Sequence, residues 1–393
     1  MNQRSLKILY LSPPWTYKAI RSLHVAKALS DIAHVDRIIV HAEDSRSSLL
    51  KDVSADFDII DQIDTHPQPK RSPLKKISYF INARAPYPHG MKVALEDEAR
   101  LRRQILDYDL VWFFKFRTIN MFSSWRWPRS VLDIDDLPSG VYGNPSSQRS
   151  TVKTRFSQWV QAMQWRRREA LLGERFTSMS VCSEDDRARF KDSSKLHVIP
   201  NGFERPIKEP QRSVPTGVRF GFIGLFDYFA NREGIEWFIS ECWPLIIERI
   251  PGARLRLVGR GSDSLAVNKT HGIDFLGWVD NSAAEIATWS VMIIPLHKGG
   301  GTRVKIAEGF SLKCPMVSTR VGAYGYDVTD GRQLRLADTP SEFANACITL
   351  ALNPQEACQM AERAWCEFTA RWTWDAIAPK VHQTAYHCLQ NSS

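Results

Sequence analysis

The residue types best suited to chemistry concentrate in one stretch, Pro295-Leu-His-Lys-Gly-Gly-Gly-Thr-Arg-Val-Lys-Ile-Ala-Glu308. An apolar run, Val291–Leu296, leads into Gly299, Gly300 and Gly301, and the pattern predicts a helix from about Thr302. Glycine backbone can approach a ligand closely and adopt conformations that side chains resist. A helix start presents free N–H groups and the positive end of its dipole, which suits a diphosphate. Arg303 and Lys305 add mobile positive charge beside it. Glu308 lies about one and two-thirds turns beyond Thr302, within reach of a ribose or sugar hydroxyl past the phosphates. The competing reading is a loop that only reverses the chain, with Glu308 on the helix surface. Its place after a strand's carboxyl end, where doubly wound sheets bind ligands, favours the first reading.

A second constellation is Asp133-Ile-Asp135-Asp136, at the end of the apolar run Ser130–Ile134. Clustered carboxylates there can orient an acceptor hydroxyl or act as a base, with Asp135 as the catalytic candidate. Asp136 reads equally well as a cap for the turn that follows. Near the N-terminus, SPPWTYKAIRSLHVAKAL offers Lys18 and Arg21 as contacts for an anionic acceptor, with His24 on the same helix.

These residues need a frame. Runs rich in Ile, Leu and Val recur between helical patterns, as a parallel α/β sheet requires. In the first half they are Lys7–Leu11, Val35–Val40, Phe57–Ile60, Leu110–Phe114, Ser130–Ile134 and Ser178–Cys182. In the second they are Val218–Gly224, Arg254–Gly259, Ile273–Leu276, Val291–Leu296 and Pro315–Ser318. Two series imply two doubly wound, Rossmann-like domains, as a length of 393 residues also suggests. A proline-rich, polar segment after Ile199 marks the hinge, over Glu204–Thr216. Phe156, Trp159, Val160 and Met163 follow helical spacing and are expected to face a sheet, as are Ile235, Phe238, Ile239, Cys242 and Ile246.

Composition narrows the class. No apolar run approaches the roughly 18–20 residues of a membrane-spanning helix, and the N-terminus lacks the form of a signal peptide, which predicts a cytoplasmic protein. Seven scattered cysteines without a CxxC pair suggest neither a zinc ribbon nor a disulfide framework. The net charge of +9 gathers in residues 66–90 (Lys70, Arg71, Lys75, Lys76, Arg84) and 137–168 (Arg149, Lys153, Arg155, Arg166, Arg167, Arg168), neither stretch containing an acid. Interleaved aromatics (Tyr79, Phe80, Tyr87, Phe156, Trp159, Trp165) favour contact with an anionic membrane surface over a merely solvated face. No nucleic-acid motif accompanies the basic stretches, so nucleic acid is not an expected partner.

VIPNGFE (Val198–Glu204), FGFIGLFDYFANREGIEWF (Phe220–Phe238), RLRLVGRG (Arg254–Gly261), DFLGWVDN (Asp274–Asn281) and PLHKGGGTRVKIAEGFSLKCPMVSTRVGAYG (Pro295–Gly325) occur in that order. Together they resemble the retaining GT-B glycosyltransferases of family 4, from about Ser178 to Asn353, while residues 1–177 match diffusely. The resemblance implies an α/β GT-B fold, two Rossmann-like domains facing each other across a cleft. It implies an acceptor-binding domain over 1–204, a linker at 205–216, a nucleotide-sugar domain over 217–375 and a helix over 376–393 that packs back on the first domain. It also implies a hexosyltransferase moving sugar from a nucleoside-diphosphate donor to a glycan or lipid-linked acceptor in bacterial surface polysaccharide assembly. No metal or other cofactor is implied.

Carried onto this chain, Glu308 matches the second carboxylate of the family's E-x7-E motif, which contacts the ribose. Thr302 and Arg303 match the diphosphate-binding helix start, Val279 the turn that meets the base, and Gly224 the cleft floor. Two departures stand out. Gly300 replaces the motif's first carboxylate, and Leu225 and Asn231 replace its usual basic pair. A subgroup with GGGTR at the helix start makes the same trade, Arg303 and Lys305 supplying the charge. Asp133-x-Asp135 also spells the D-x-D that holds a cation in the unrelated GT-A fold, a reading set aside because GT-B enzymes rely on helix dipoles and basic groups. Two alternatives share the framework: a sugar-nucleotide 2-epimerase, which needs no acceptor, and a non-catalytic scaffold subunit, to which the change at Gly300 lends weight.

Overall fold

A computed structural model describes residues 5–14, 20–41, 57–67, 82–84, 91–143, 152–213, 216–265, 271–299 and 301–391. Lys18 and Gly300 lie outside these, as do Lys70, Arg71, Lys75, Lys76, Tyr79, Phe80, Tyr87 and Arg149.

The chain divides into two compact units. The first comprises Met1–Gly143, Phe156–Pro200 and Ile377–Ser393; the second comprises Asn144–Arg155 and Asn201–Ala376. The first holds strands β1 (Lys7–Ser12), β2 (His34–His41), β3 (Asp58–Pro67), β4 (Met91–Val93), β5 (Leu110–Phe114), β6 (Trp127–Asp133), β7 (Phe176–Val181) and β8 (Leu196–Val198). Their order is β4-β3-β2-β1-β5-β6-β7-β8, all parallel except β3 with β4. The second holds β9 (Arg219–Ile223), β10 (Arg254–Val258), β11 (Ile273–Gly277), β12 (Val291–Ile294), β13 (Met316–Ser318) and β14 (Arg335–Leu336). Here the order is β11-β10-β9-β12-β13-β14, parallel throughout.

Central strands are apolar on both faces because helices cover both sides: every residue of Leu110–Phe114 and of Val291–Ile294 is buried. These runs are the ones that hydrophobic patterning locates well. The pattern misses the edge strands β4 and β14, whose three and two residues carry no period. It also ends β3 seven residues early, because Asp61–Pro67 mixes apolar with polar residues near the sheet's edge.

Strand order reverses between β1 and β5 in one unit and between β9 and β12 in the other. Such reversals open a crevice at the carboxyl ends of the strands, since successive helices leave to opposite faces there. In the first unit the crevice lies beside Lys115 and the Asp133–Asp136 run. In the second it lies between Gly224 and the glycine loop.

The helix Val152–Glu169 turns the expected way round for none of its aromatic stripe. Phe156 and Trp159 are 64% and 55% exposed, whereas Ala162, Trp165, Arg168 and Glu169 are buried. The inward side wins through specific anchors. Trp165 packs edge-on against Phe116 at 5.3 Å, and Glu169 accepts hydrogen bonds from the Ser139 N–H (2.8 Å) and hydroxyl (2.6 Å). By contrast Ile235, Phe238, Ile239, Cys242 and Ile246 are buried as their spacing predicts.

The C-terminal helix Trp374–Gln390 leaves the second unit and belongs to the first from Ile377 onward. Ile377, Val381, Ala385 and Cys388 are buried there. His382 Nε2 donates to the Ala28 carbonyl at 2.7 Å, and His387 Nδ1 shares a 2.9 Å hydrogen bond with the Ser178 hydroxyl.

Candidate functional site

In the second unit the helix after the glycine loop begins at Val304, two residues later than the pattern predicts, with Arg303 as its extended N-cap residue. The loop reaches it through left-handed backbone: Gly299 has φ +109° and Gly301 φ +73°. A side chain at Gly299 would meet the movable ends of Arg303 (2.7 Å) and Tyr228 (2.8 Å), so it is the left-handed backbone rather than space that calls for glycine here. Thr302 Oγ1 accepts a hydrogen bond from Asn201 Nδ2 at 2.6 Å.

Arg303 and Lys305, expected as two mobile cations, are neither mobile nor alike. The Arg303 side chain is buried and folds back to donate to the Lys298 carbonyl at 3.3 Å. Lys305 instead reaches the crevice between β9 and β12. Its ammonium donates to Asn231 Oδ1 at 3.0 Å and lies 3.9 Å above the Phe222 ring. A Cβ at Gly224 would come within 3.0 Å of Lys305 Nζ and 2.8 Å of Asn231 Nδ2. Gly224 therefore leaves the space that the ammonium and amide fill.

Burial pushes the Lys305 ammonium down to about 7, helped by the like charge of Arg303 and opposed by Glu308. Burial also raises the Glu308 carboxyl, against the Ser282 hydrogen bond and the Lys305 charge. The Ser282 hydroxyl donates to Glu308 Oε1 at 3.3 Å. Ser282 begins the short helix Ser282–Ile286, just past the turn that holds Val279, which is half-buried against the core. The fold thus gathers Gly224, Lys305, the start of the glycine-loop helix, Glu308 and the Val279 turn on one side of a single unit.

The first unit sorts its proposed residues differently. Asp133 and Arg21, both read from sequence as acceptor contacts, are buried against each other. Asp133 is fully inaccessible and Arg21 is 6% exposed. Arg21 Nη2 and Nε donate to the carboxylate at 2.8 and 3.1 Å, Nη1 donates to the Ile199 and Pro200 carbonyls, and Ser180 Oγ donates to Asp133 at 3.0 Å. Every polar group of the pair is spent within the protein, so these two side chains hold the first helix to the ends of β6 and β8. Burial raises the Asp133 carboxyl against the lowering influence of Arg21. His24 is half-buried on the same helix, Ile20–Ser30.

Asp136 is exposed, and Asp135 keeps 13% of its side chain open. Asp135 forms an ion pair with Lys115 at 3.2 Å, and both residues have positive φ, +60° and +72°. Two adjacent non-glycine residues of this kind at the ends of β5 and β6 store backbone strain, which clusters at working sites. Burial works to lower the Lys115 ammonium, but the charge and hydrogen bond of Asp135 carry it above its usual range. Lys115 carries no motif and was missed by sequence reasoning; only its position after the fully apolar strand Leu110–Phe114 could have flagged it. Among the described residues the one group of three potential metal ligands is His34, Asp36 and Asp58, their donor atoms within 4.8 Å. They stand at the opposite, N-terminal ends of β2 and β3, so the D-x-D pattern is not part of it.

The paired doubly wound sheets are those of the GT-B glycosyltransferase fold. Sucrose-phosphate synthase from Thermosynechococcus elongatus aligns with a TM-score of 0.64 over 96% of this chain and 98% of that one, at 17% identity. Anabaena HepE, solved in complex with UDP, aligns with a TM-score of 0.62 over 96% and 99%, at 14% identity.

Kinship is more specific in the second half. Residues 217–353 match the family described as Glycosyl transferases group 1. An uncharacterised 44.6 kDa protein in the cps region of Klebsiella pneumoniae is 22% identical over 145 residues, 34% of this chain. The match spans 37% of that relative's length, little more than a third.

Proposed function

We propose that the protein is a hexosyltransferase of the family 4 type, in the GGGTR subgroup, using a nucleoside-diphosphate sugar and retaining its anomeric configuration. The observation that carries this reading is the Lys305 ammonium at the β9/β12 switch point, beside the helix start at Val304 and in line with Glu308. A cation with a depressed affinity for its proton is poised to regain charge when a diphosphate arrives, and a helix N-terminus adds fixed N–H donors. Glu308, held by Ser282 at the edge of the Val279 turn, is the group for the ribose hydroxyls, and Gly299 and Gly301 bring backbone to the phosphates. The UDP complex of HepE agrees with this class of donor.

In the transfer step the bond from the sugar's anomeric carbon to the diphosphate oxygen breaks and a bond to the acceptor hydroxyl oxygen forms. The hydroxyl's proton leaves with the departing diphosphate. Lys305 and the helix start neutralise the charge that develops on the leaving group. Asp135, ion-paired with Lys115 at the end of β6, orients the acceptor hydroxyl by accepting its hydrogen bond. No cofactor is assigned. The acceptor is a glycan or lipid-linked glycan at the inner face of the cytoplasmic membrane, and the cps-region relative supports a place in surface polysaccharide assembly.

Titration calorimetry with UDP, GDP and ADP, on the full chain and on Glu308→Ala, tests the reading. One diphosphate is expected to bind selectively and to lose roughly 1–3 kcal/mol in the variant, as for a buried hydrogen bond. Binding of none of the three to the native chain overturns the donor site. Binding without turnover of any sugar conjugate overturns the transferase in favour of a scaffold.

A further inference from the structure

The helix Val152–Glu169 presents to solvent what its sequence would place in a core. Phe156, Trp159, Val160 and Met163 fall at helical spacing on one side, and Arg166 and Arg167 continue that side by one turn. Phe156 and Trp159 are mostly exposed, Val160 and Met163 half-buried, and both arginines exposed. The two rings stack on each other at 5.9 Å and 27°. The opposite side is committed to the core through Ala162, Trp165 and Glu169. Glu169 is the helix's single acid, and it is spent on Ser139, so the helix itself supplies no negative charge to the outward stripe.

Such a stripe is unfavourable in water unless something covers it, since two large aromatic surfaces stand outside the fold. Its chemistry selects the cover. A helix with aromatic residues on one face and arginines beside them matches the interface of an anionic bilayer, rings at the headgroup boundary and guanidinium groups on phosphates. A second copy docked through the same face would bring Arg166 and Arg167 toward like charges, with no carboxylate on the stripe to meet them.

We propose that the stripe Phe156–Trp159–Met163, with Arg166 and Arg167, docks the first unit on an anionic phospholipid surface. The docking rests on the transferase reading for its purpose, which is access to a lipid-borne acceptor, but the docking itself needs no donor and no transfer. Its length is modest, so attachment is reversible and electrostatically assisted rather than permanent.

Co-sedimentation of the full chain with vesicles of phosphatidylcholine and phosphatidylglycerol (7:3), and with phosphatidylcholine alone, tests it. The expected result is binding to the anionic vesicles that weakens with salt, and little binding to neutral ones. Phe156→Ser/Trp159→Ser is expected to cut partitioning at least tenfold. Arg166→Gln/Arg167→Gln is expected to reduce it and flatten its salt dependence. Unchanged thermal unfolding and nucleotide binding in both variants show that the fold and the donor site are intact. No binding to anionic vesicles overturns the proposal and leaves the transferase reading standing. Equal binding by native protein and variants overturns it too, as does a native dimer that the aromatic variant abolishes.

Discussion

Lys305 Nζ donates to Asn231 Oδ1 at 3.0 Å, joining a residue of the glycine-loop helix to a position where the family resemblance implies a basic side chain. The positive charge has not been lost from the crevice; it enters from the other wall. Seventy-four residues separate the two positions in sequence, and the switch point between β9 and β12 brings them together.

Replacing Lys305 separates binding from stability. Lys305→Met is expected to weaken nucleoside-diphosphate binding about 10- to 100-fold, the effect of losing a hydrogen bond to a charged group worth roughly 1.5–3 kcal/mol. Thermal unfolding at pH 6–7 should rise or stay level, because the variant no longer buries a cation. A fall in melting temperature without a loss of affinity contradicts the assignment.

Lys305 also sets a pH dependence. With its folded value at about 7, binding a diphosphate above that pH requires proton uptake. Affinity is expected to weaken from pH 7 to 9, by at most about tenfold per unit, and calorimetric heats should vary with the buffer's ionisation enthalpy. The unfolded chain keeps this proton up to the ordinary lysine range, so this group makes stability rise with pH across that window. In Lys305→Met both slopes should shrink.

Two glycines a few ångströms apart should behave oppositely. In Gly224→Ala the new methyl group meets only the ends of Lys305 and Asn231, which can move aside. Stability should fall by less than about 1 kcal/mol while the displaced ammonium costs about tenfold in affinity. In Gly259→Ala the methyl group would lie 1.9 Å from the Gly224 carbonyl oxygen, at φ +126°. That variant should lose about 3 kcal/mol or more of stability, through strain and overpacking together. Urea titrations of the two variants check the contrast.

Breaking the Arg21–Asp133 pair is a test of structure rather than of acceptor recognition. Arg21→Met leaves a buried carboxylate and should cost about 3–5 kcal/mol, whereas Arg21→Met/Asp133→Leu should recover much of it. Nucleotide binding should survive wherever the variants fold. A large loss of acceptor affinity at unchanged stability would return the pair to the site.

His197 contributes to the acid limb of stability in the first unit. Its ring meets His387 edge-on at 4.6 Å, its Nε2 has no hydrogen-bond partner among the described residues, and burial with the charges of His387 and Arg187 pushes it down to about 4. The unfolded chain takes up this proton near the usual 6.5, so stability falls as pH drops from about 6.5 to 4. His197→Gln should flatten the melting-temperature profile in that window and leave it unchanged above pH 7.

Sequence alone determined the alternation of apolar runs and helices, the central strands of both sheets and the glycine loop at a strand's carboxyl end. Those features are local: a buried parallel strand must be apolar along its length, and a close backbone approach demands glycine. Tertiary structure decided the rest. Which of two apolar stripes on Val152–Glu169 faces inward depends on Phe116 and Ser139, which lie far away in sequence. Whether an acid is sealed into the fold or left partly open depends on its partners, and tertiary structure separated Asp133, fully buried against Arg21, from Asp135, part-exposed beside Lys115. The same holds for the two expected cations. Arg303 and Lys305 stand two residues apart, and only the packing of β9 against β12 sends one under the loop and the other into the crevice, because a helix turns successive side chains through about 100° toward different neighbours.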